Sequence, residues 1–216
     1  MNRIFLILAL GVCPAFGGGW PLNSPSVTLY TAFQQAPPAA VLDAIHNELE
    51  AIMLPSGLRF EWYPLSDAGG RVSSQLAVIH FKGQCDAADM RPEWGYPGAL
   101  GWTHVSDGQI LPFIDISCEG LRLFVQRSLS GMPPASRDSL FGRALGRILA
   151  HELYHLLART TQHADNGLAK AAYSAEDLLA QTLRFGKKEY AALRNRGLRL
   201  LAQSEGLAAL PESSGQ

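Results

Sequence analysis

Between Ser136 and Thr160, apolar residues recur at helical spacing: Phe141, Leu145, Ile148, Leu149, Leu153, Leu156 and Leu157. The pattern predicts one long helix, with Ser136 or Asp138 as its N-cap. Inside that helix, not in a loop, stands His151-Glu152-Leu153-Tyr154-His155. Residues four apart on a helix differ by about 40° in direction and ~6 Å in height, so both imidazoles leave the same side. That separation suits two ring nitrogens reaching one zinc ion at ~2.0–2.1 Å. Glu152 lies about 100° round from His151, so it can touch a water beside the ion rather than bind the ion, as a general base must. In a shuffled chain of this composition the pattern would arise with a chance of roughly 0.8%, which makes accident a poor explanation. Two buried histidines and a glutamate without such work would leave costly polar groups in the interior.

Zinc in a catalytic site takes three protein ligands and keeps a fourth position open. His163 is the first candidate for the third ligand. It follows His155 by eight residues, just past the expected helix end at Arg159-Thr160-Thr161. Asp165 is a nearby substitute, and Glu176 is a rival because it heads the next helix. The other histidines offer less. His46 falls on the polar side of an earlier helix and is expected in solvent, His80 is expected as a satisfied core residue, and His104 near a strand end is a conceivable substrate contact. There is no glycine-rich phosphate loop, and Cys118-Glu119-Gly120 carries no nucleophile signature.

Eighteen Lys plus Arg against nineteen Asp plus Glu leave a net charge of −1, without the basic excess of a dedicated nucleic-acid binder. With 47% hydrophobic residues the chain is not of the disordered class, and at 216 residues one domain is the default. Met1-Asn2-Arg3 precedes the apolar run Ile4 to Val12, too short to span a bilayer and followed by the small residues Ala15 and Gly17. We expect an export signal over residues 1–17, a single domain over 20–209 and a frayed polar tail over 210–216. The mature chain would be secreted or periplasmic, with no stable membrane insertion. Cys85 and Cys118 would then be the two remaining cysteines. In an exported protein they are expected to form one disulfide, although two buried thiols are the alternative.

Strands are expected over Val27–Phe33, Leu58–Tyr63, Leu76–Phe81, Ala99–Val105 and Gln109–Ser117, the last two flanking the turn Ser106-Asp107-Gly108. Pro112 should keep the last of these from being a regular central strand. Helices are expected over Ala39–Leu54 and Glu119–Ser128, then the long helix, then one capped by Ser174. Gly83–Gly98 is a long loop, and Gly186 and Gly197 should interrupt the helical C-terminal third.

With H-E-x-x-H on a helix, the chain resembles the zincin metallopeptidases. More narrowly, the order strand, helix, strand, strand, edge strand, strand, zinc helix is similar to a metzincin catalytic domain. The resemblance covers about Val27 to Glu176. It implies an α+β, zincin-like (metzincin-like) fold. In that fold a mixed, mostly parallel sheet with an antiparallel edge strand packs on the active-site helix, and the C-terminal part is helical. It further implies one catalytic Zn²⁺ held by His151, His155 and His163, with Glu152 as general base, in a zinc metalloendopeptidase. A peptide or protein substrate would lie along the edge strand near Ala99–Val105. Metzincins place a glycine three residues and a histidine six residues past the second histidine. Here Ala158 and Thr161 hold those places, so the helix should run further before it turns. No methionine follows His163, and Tyr173 or Leu168 would take the place of the family's methionine beneath the metal. The alternative role for Tyr173 is to steady the oxyanion. Two other functions fit the residues: a catalytically inactive zincin-like binding module with a structural or vestigial metal, and a zinc hydrolase of non-peptide amides.

Overall fold

The computed structural model describes residues 25–70, 73, 75–90 and 98–208. The expected signal segment and tail, and part of the long loop, lie outside them. The strands are β1 (Ser26–Phe33), β2 (Arg59–Pro64), β3 (Leu76–Lys82), β4 (Gly101–Ser106) and β5 (Gln109–Ser117). The helices are α1 (Ala39–Met53), α2 (Cys118–Leu129), α3 (Pro134–Ala158), α4 (Ala175–Leu179) and α5 (Lys187–Ala208).

The five strands form one sheet in the order β2-β1-β3-β5-β4. β1 pairs with β2 and β3 in parallel, β3 pairs with β5 in parallel, and β4 returns antiparallel to β5 at the edge. This is the expected mixed α+β architecture. Alternation assigns the faces: Val27, Leu29, Ala77, Ile79, Phe81, Ile114 and Ile116 are buried in one core with Val41, Ile45 and Leu49 of α1 and Leu145, Leu149 and Leu153 of α3. The two helices approach closely. A Cβ on Gly142 would stand 2.4 Å from the Val41 carbonyl oxygen, so only glycine fits that crossing.

Several expectations need correction. α3 starts at Pro134 with Pro133 as N-cap and no side-chain cap, so neither Ser136 nor Asp138 caps it. Proline at the first helical position lacks only an N–H that would have no partner there anyway. Gly197 does not interrupt α5; it lies inside the helix, where a Cβ would meet Pro25 and Leu58 at 3.3 and 3.4 Å. β5 is interior, between β3 and β4. Pro112 is accommodated because the β3 ladder begins only at Phe113 and the β4 register shifts between Thr103 and Val105. His46 is half-buried with its ring 4.1 Å from that of Trp62, and burial lowers its pKa. His80 is not in the core. It projects from the sheet face opposite the helices, 44% exposed, with Nδ1 3.4 Å from Asp115 Oδ1.

Two tethers place α2 and α4 against this frame. Cys85 and Cys118 are bridged, with Cα atoms 4.9 Å apart. Next to the bridge, Arg122 donates to the Asp86 carboxylate at 2.8 Å and the Ala88 carbonyl at 2.9 Å. Replacing both cysteines by serine should cost about 3–4 kcal/mol in the chain-entropy picture of a 34-residue loop, read by urea unfolding. Arg147 of α3 has a side chain with no exposure at all. It donates to Glu48 of α1 at 2.8 Å and to the Asp177 and Leu178 carbonyls at 3.0 Å, joining three helices. Ser174 caps α4 as expected, and the structure adds a full capping box: its hydroxyl accepts from the Asp177 N–H, and the Asp177 carboxylate accepts from the Ser174 N–H.

Candidate metal centre

α3 presents His151 and His155 on one side, buried to 6% and 7% exposure. The helix runs on to Ala158 and ends at Arg159, whose φ of 51° is left-handed. The turn is thus made at a residue with a side chain rather than at a glycine. The chain then doubles back, and the Ala164 N–H donates to the Ala169 carbonyl at 2.8 Å. That return brings the exposed His163 over the helix. Donor atoms of His151, His155 and His163 all lie within 4.8 Å of one another. Neither Asp165 nor Glu176 joins the group; both are exposed.

The ring orientations specify which nitrogens are free. His151 Nδ1 donates to the Leu168 carbonyl at 2.8 Å, and His155 Nδ1 donates to the Thr160 carbonyl at 2.7 Å. A carbonyl can only accept, so both Nδ1 atoms carry the proton and both Nε2 atoms are bare in the neutral rings. Those bare Nε2 atoms face each other at 3.0 Å. Two lone pairs at that distance repel unless a cation lies between them. Nitrogens each ~2.0–2.1 Å from one tetrahedral ion would sit roughly 3.3 Å apart, so the residues present fit a zinc ion with little adjustment. Burial pushes the His151 pKa down to about 4, with the neighbouring His155 and His163 adding to the fall. Burial lowers His155 as well. The rings are held in the neutral form that binds metal.

Tyr173 supports His151 from behind. Its hydroxyl donates to the Leu168 carbonyl and lies 2.7 Å from His151 Nδ1, the nitrogen opposite the bare Nε2. Burial pushes its phenol pKa well up, with Glu152 and Asp177 adding to the rise, so the group stays protonated. The hydroxyl is thus engaged in holding a ring. Leu168, fully buried, supplies the carbonyl both groups share. Tyr173→Phe should lower zinc affinity about tenfold, measured by competition with a chelating indicator.

Glu152 is 6% exposed and sits between α3 and the edge strand. Its pKa is pushed up to about 7 by burial, against the opposing hydrogen bond from Thr103. β4 comes unusually close: a Cβ on Gly101 would be 2.7 Å from Ile148 Cγ2 and 3.1 Å from Glu152 Oε1. The histidines, Glu152 and Tyr173 line a cleft of about 950 Å³. Gly101, Trp102 and Thr103 of β4 form one side, and Leu123 and Phe124 of α2 close another.

The helical pair and Glu152 were legible from spacing alone. The carbonyls of Thr160 and Leu168, the Thr103 contact and the α2 wall were not. Main-chain acceptors leave no mark in residue types, and Thr103 meets Glu152 only through the strand order. No family model matches the chain, and no curated protein matches it. Among solved structures, the chain is similar to the crystal structure of archaemetzincin from Methanopyrus kandleri, at 14% identity over 82% of this chain and 97% of that one, with a TM-score of 0.46.

Proposed function

We propose that the chain is an exported, zinc-dependent endopeptidase. The observation that carries this reading is the pair of bare Nε2 atoms 3.0 Å apart, with a third histidine within 4.8 Å and a buried carboxyl group beside them. A zinc ion there would polarise a scissile carbonyl and bring the pKa of a water toward ~7. Glu152 takes a proton from the attacking water and delivers it to the leaving amine as the C–N bond breaks. A peptide would lie extended along β4, the edge strand that lines the cleft. An inactive module with a closed structural site would call for a fourth protein donor, and neither Asp165 nor Glu176 reaches the three histidines. Export is supported by the Cys85–Cys118 bridge, since such bonds persist in oxidising compartments. No helix among the described residues is long and apolar enough to cross a membrane.

The test is metal analysis of the purified protein together with cleavage of an unstructured protein substrate such as casein. We expect about one zinc per chain, peptide-bond hydrolysis that stops on chelation and returns with zinc, and inhibition by a hydroxamate. Hydrolysis that persists after exhaustive metal removal would overturn the proposal.

A further inference from the structure

From the contact between the edge strand and the carboxyl group, we infer that Thr103 is a positioning residue for Glu152, a role that rests on the peptidase reading above. Thr103 belongs to β4 and Glu152 to α3, 49 residues apart in sequence. The Thr103 Oγ1 lies 2.8 Å from Glu152 Oε2 and 3.0 Å from the Glu152 main-chain carbonyl oxygen. One hydroxyl therefore spans both ends of the same residue and restricts the turning of its side chain. A threonine in a strand is stiff at χ1, so the hydroxyl is a fixed post rather than a mobile arm.

Gly101 makes this possible. Two residues before Thr103, it faces the same side of the strand, and its missing Cβ lets β4 lie against Ile148 and Glu152. With Oε2 held by Thr103, Oε1 is the oxygen left to meet a water. When that water's O–H bond breaks, the proton passes to the carboxylate and then to the leaving nitrogen. Thr103 can keep its hold throughout, because a carboxyl protonated at Oε1 still accepts from the Thr103 hydroxyl at Oε2. β4 is thus both the strand along which a peptide would lie and the element that aims the base.

Thr103→Val keeps the shape and removes the hydroxyl; Thr103→Ser keeps the hydroxyl. In the zinc-loaded full chain, the Val variant should lose roughly tenfold or more in kcat with KM within about twofold of wild type, and the Ser variant should recover most of that loss. Crystals of the metal-free Val variant should show the Glu152 carboxylate displaced from its wild-type position, a readout that needs no turnover. Unchanged kcat, a loss confined to KM, a Ser variant as poor as Val, or an unmoved Glu152 would each overturn the inference. If Thr103→Val fails to fold, Thr103→Ala takes its place in both measurements. A wild-type protein without hydrolysis would strike the peptidase reading instead, and the crystallographic outcome would then decide the role of Thr103.

Discussion

Glu152→Gln should reduce peptide hydrolysis by about 10²–10⁴-fold while leaving zinc bound at His151, His155 and His163. Glutamine fills the same space but cannot take a proton from water. It does not alter the three histidines, and the rings of His151 and His155 are aimed by main-chain carbonyls. Steady-state rates together with metal content read this result, and a variant that lost its zinc would point to a ligand role for Glu152. The same substitution carries a second signature in the metal-free protein. Burial holds the Glu152 carboxyl at about 7, against 4.5 ordinarily. Between those values the folded state binds the proton more tightly than the unfolded state does, so this group's contribution to stability falls as pH rises. Glutamine does not ionise. The stability of the variant relative to wild type should therefore climb by about 3 kcal/mol from pH 4 to pH 8, seen in urea unfolding at both ends.

Arg147→Met should destabilise the fold by about 3–5 kcal/mol, the cost of removing one partner from a buried ion pair. The arginine side chain is wholly inaccessible and serves Glu48 and the carbonyls of Asp177 and Leu178. Methionine fills much of the volume but takes the donor from the two α4 carbonyls and leaves Glu48 with Arg184 alone. Arg184 also binds Glu48, at 3.0 Å, from a position 35% exposed. Arg184→Met should cost under about 1 kcal/mol, as expected of a half-solvated pair whose carboxylate keeps its other cation. Urea unfolding of the two variants separates these costs. A loss below 1 kcal/mol in Arg147→Met would mean that the α4 carbonyls find other donors.

Much of this could be read from residue order. Apolar periodicity located α1 and α3, strand-forming residues located β1, alternation located β2, an apolar run located β3, and Asp107-Gly108 marked the hairpin between β4 and β5. What periodicity could not supply was sidedness. His80 lies between Ile79 and Phe81, and the apolar run suggested a strand buried on both faces. Burial alternates along β3, with Ala77, Ile79 and Phe81 in the core, so every second residue, His80 among them, faces away from it. Ser136 and Asp138 have the side chains of caps, yet it is Pro134 that opens α3. The candidate ligands show the same division. His151 and His155 follow from helical geometry, while the approach of His163 depends on the backbone at Arg159, a residue type that does not announce a left-handed turn.

The atoms that steer the two helical imidazoles belong to the peptide backbone, at positions 160 and 168. An alanine scan across this region would find the rings and Tyr173 but overlook these two acceptors, because every substitution retains the carbonyl. Chemical ligation that exchanges the amide following Thr160 for an ester would expose the dependence, since an ester oxygen is the poorer acceptor. It also follows that side chains between the second and third histidines can diverge widely while the rings keep their aim.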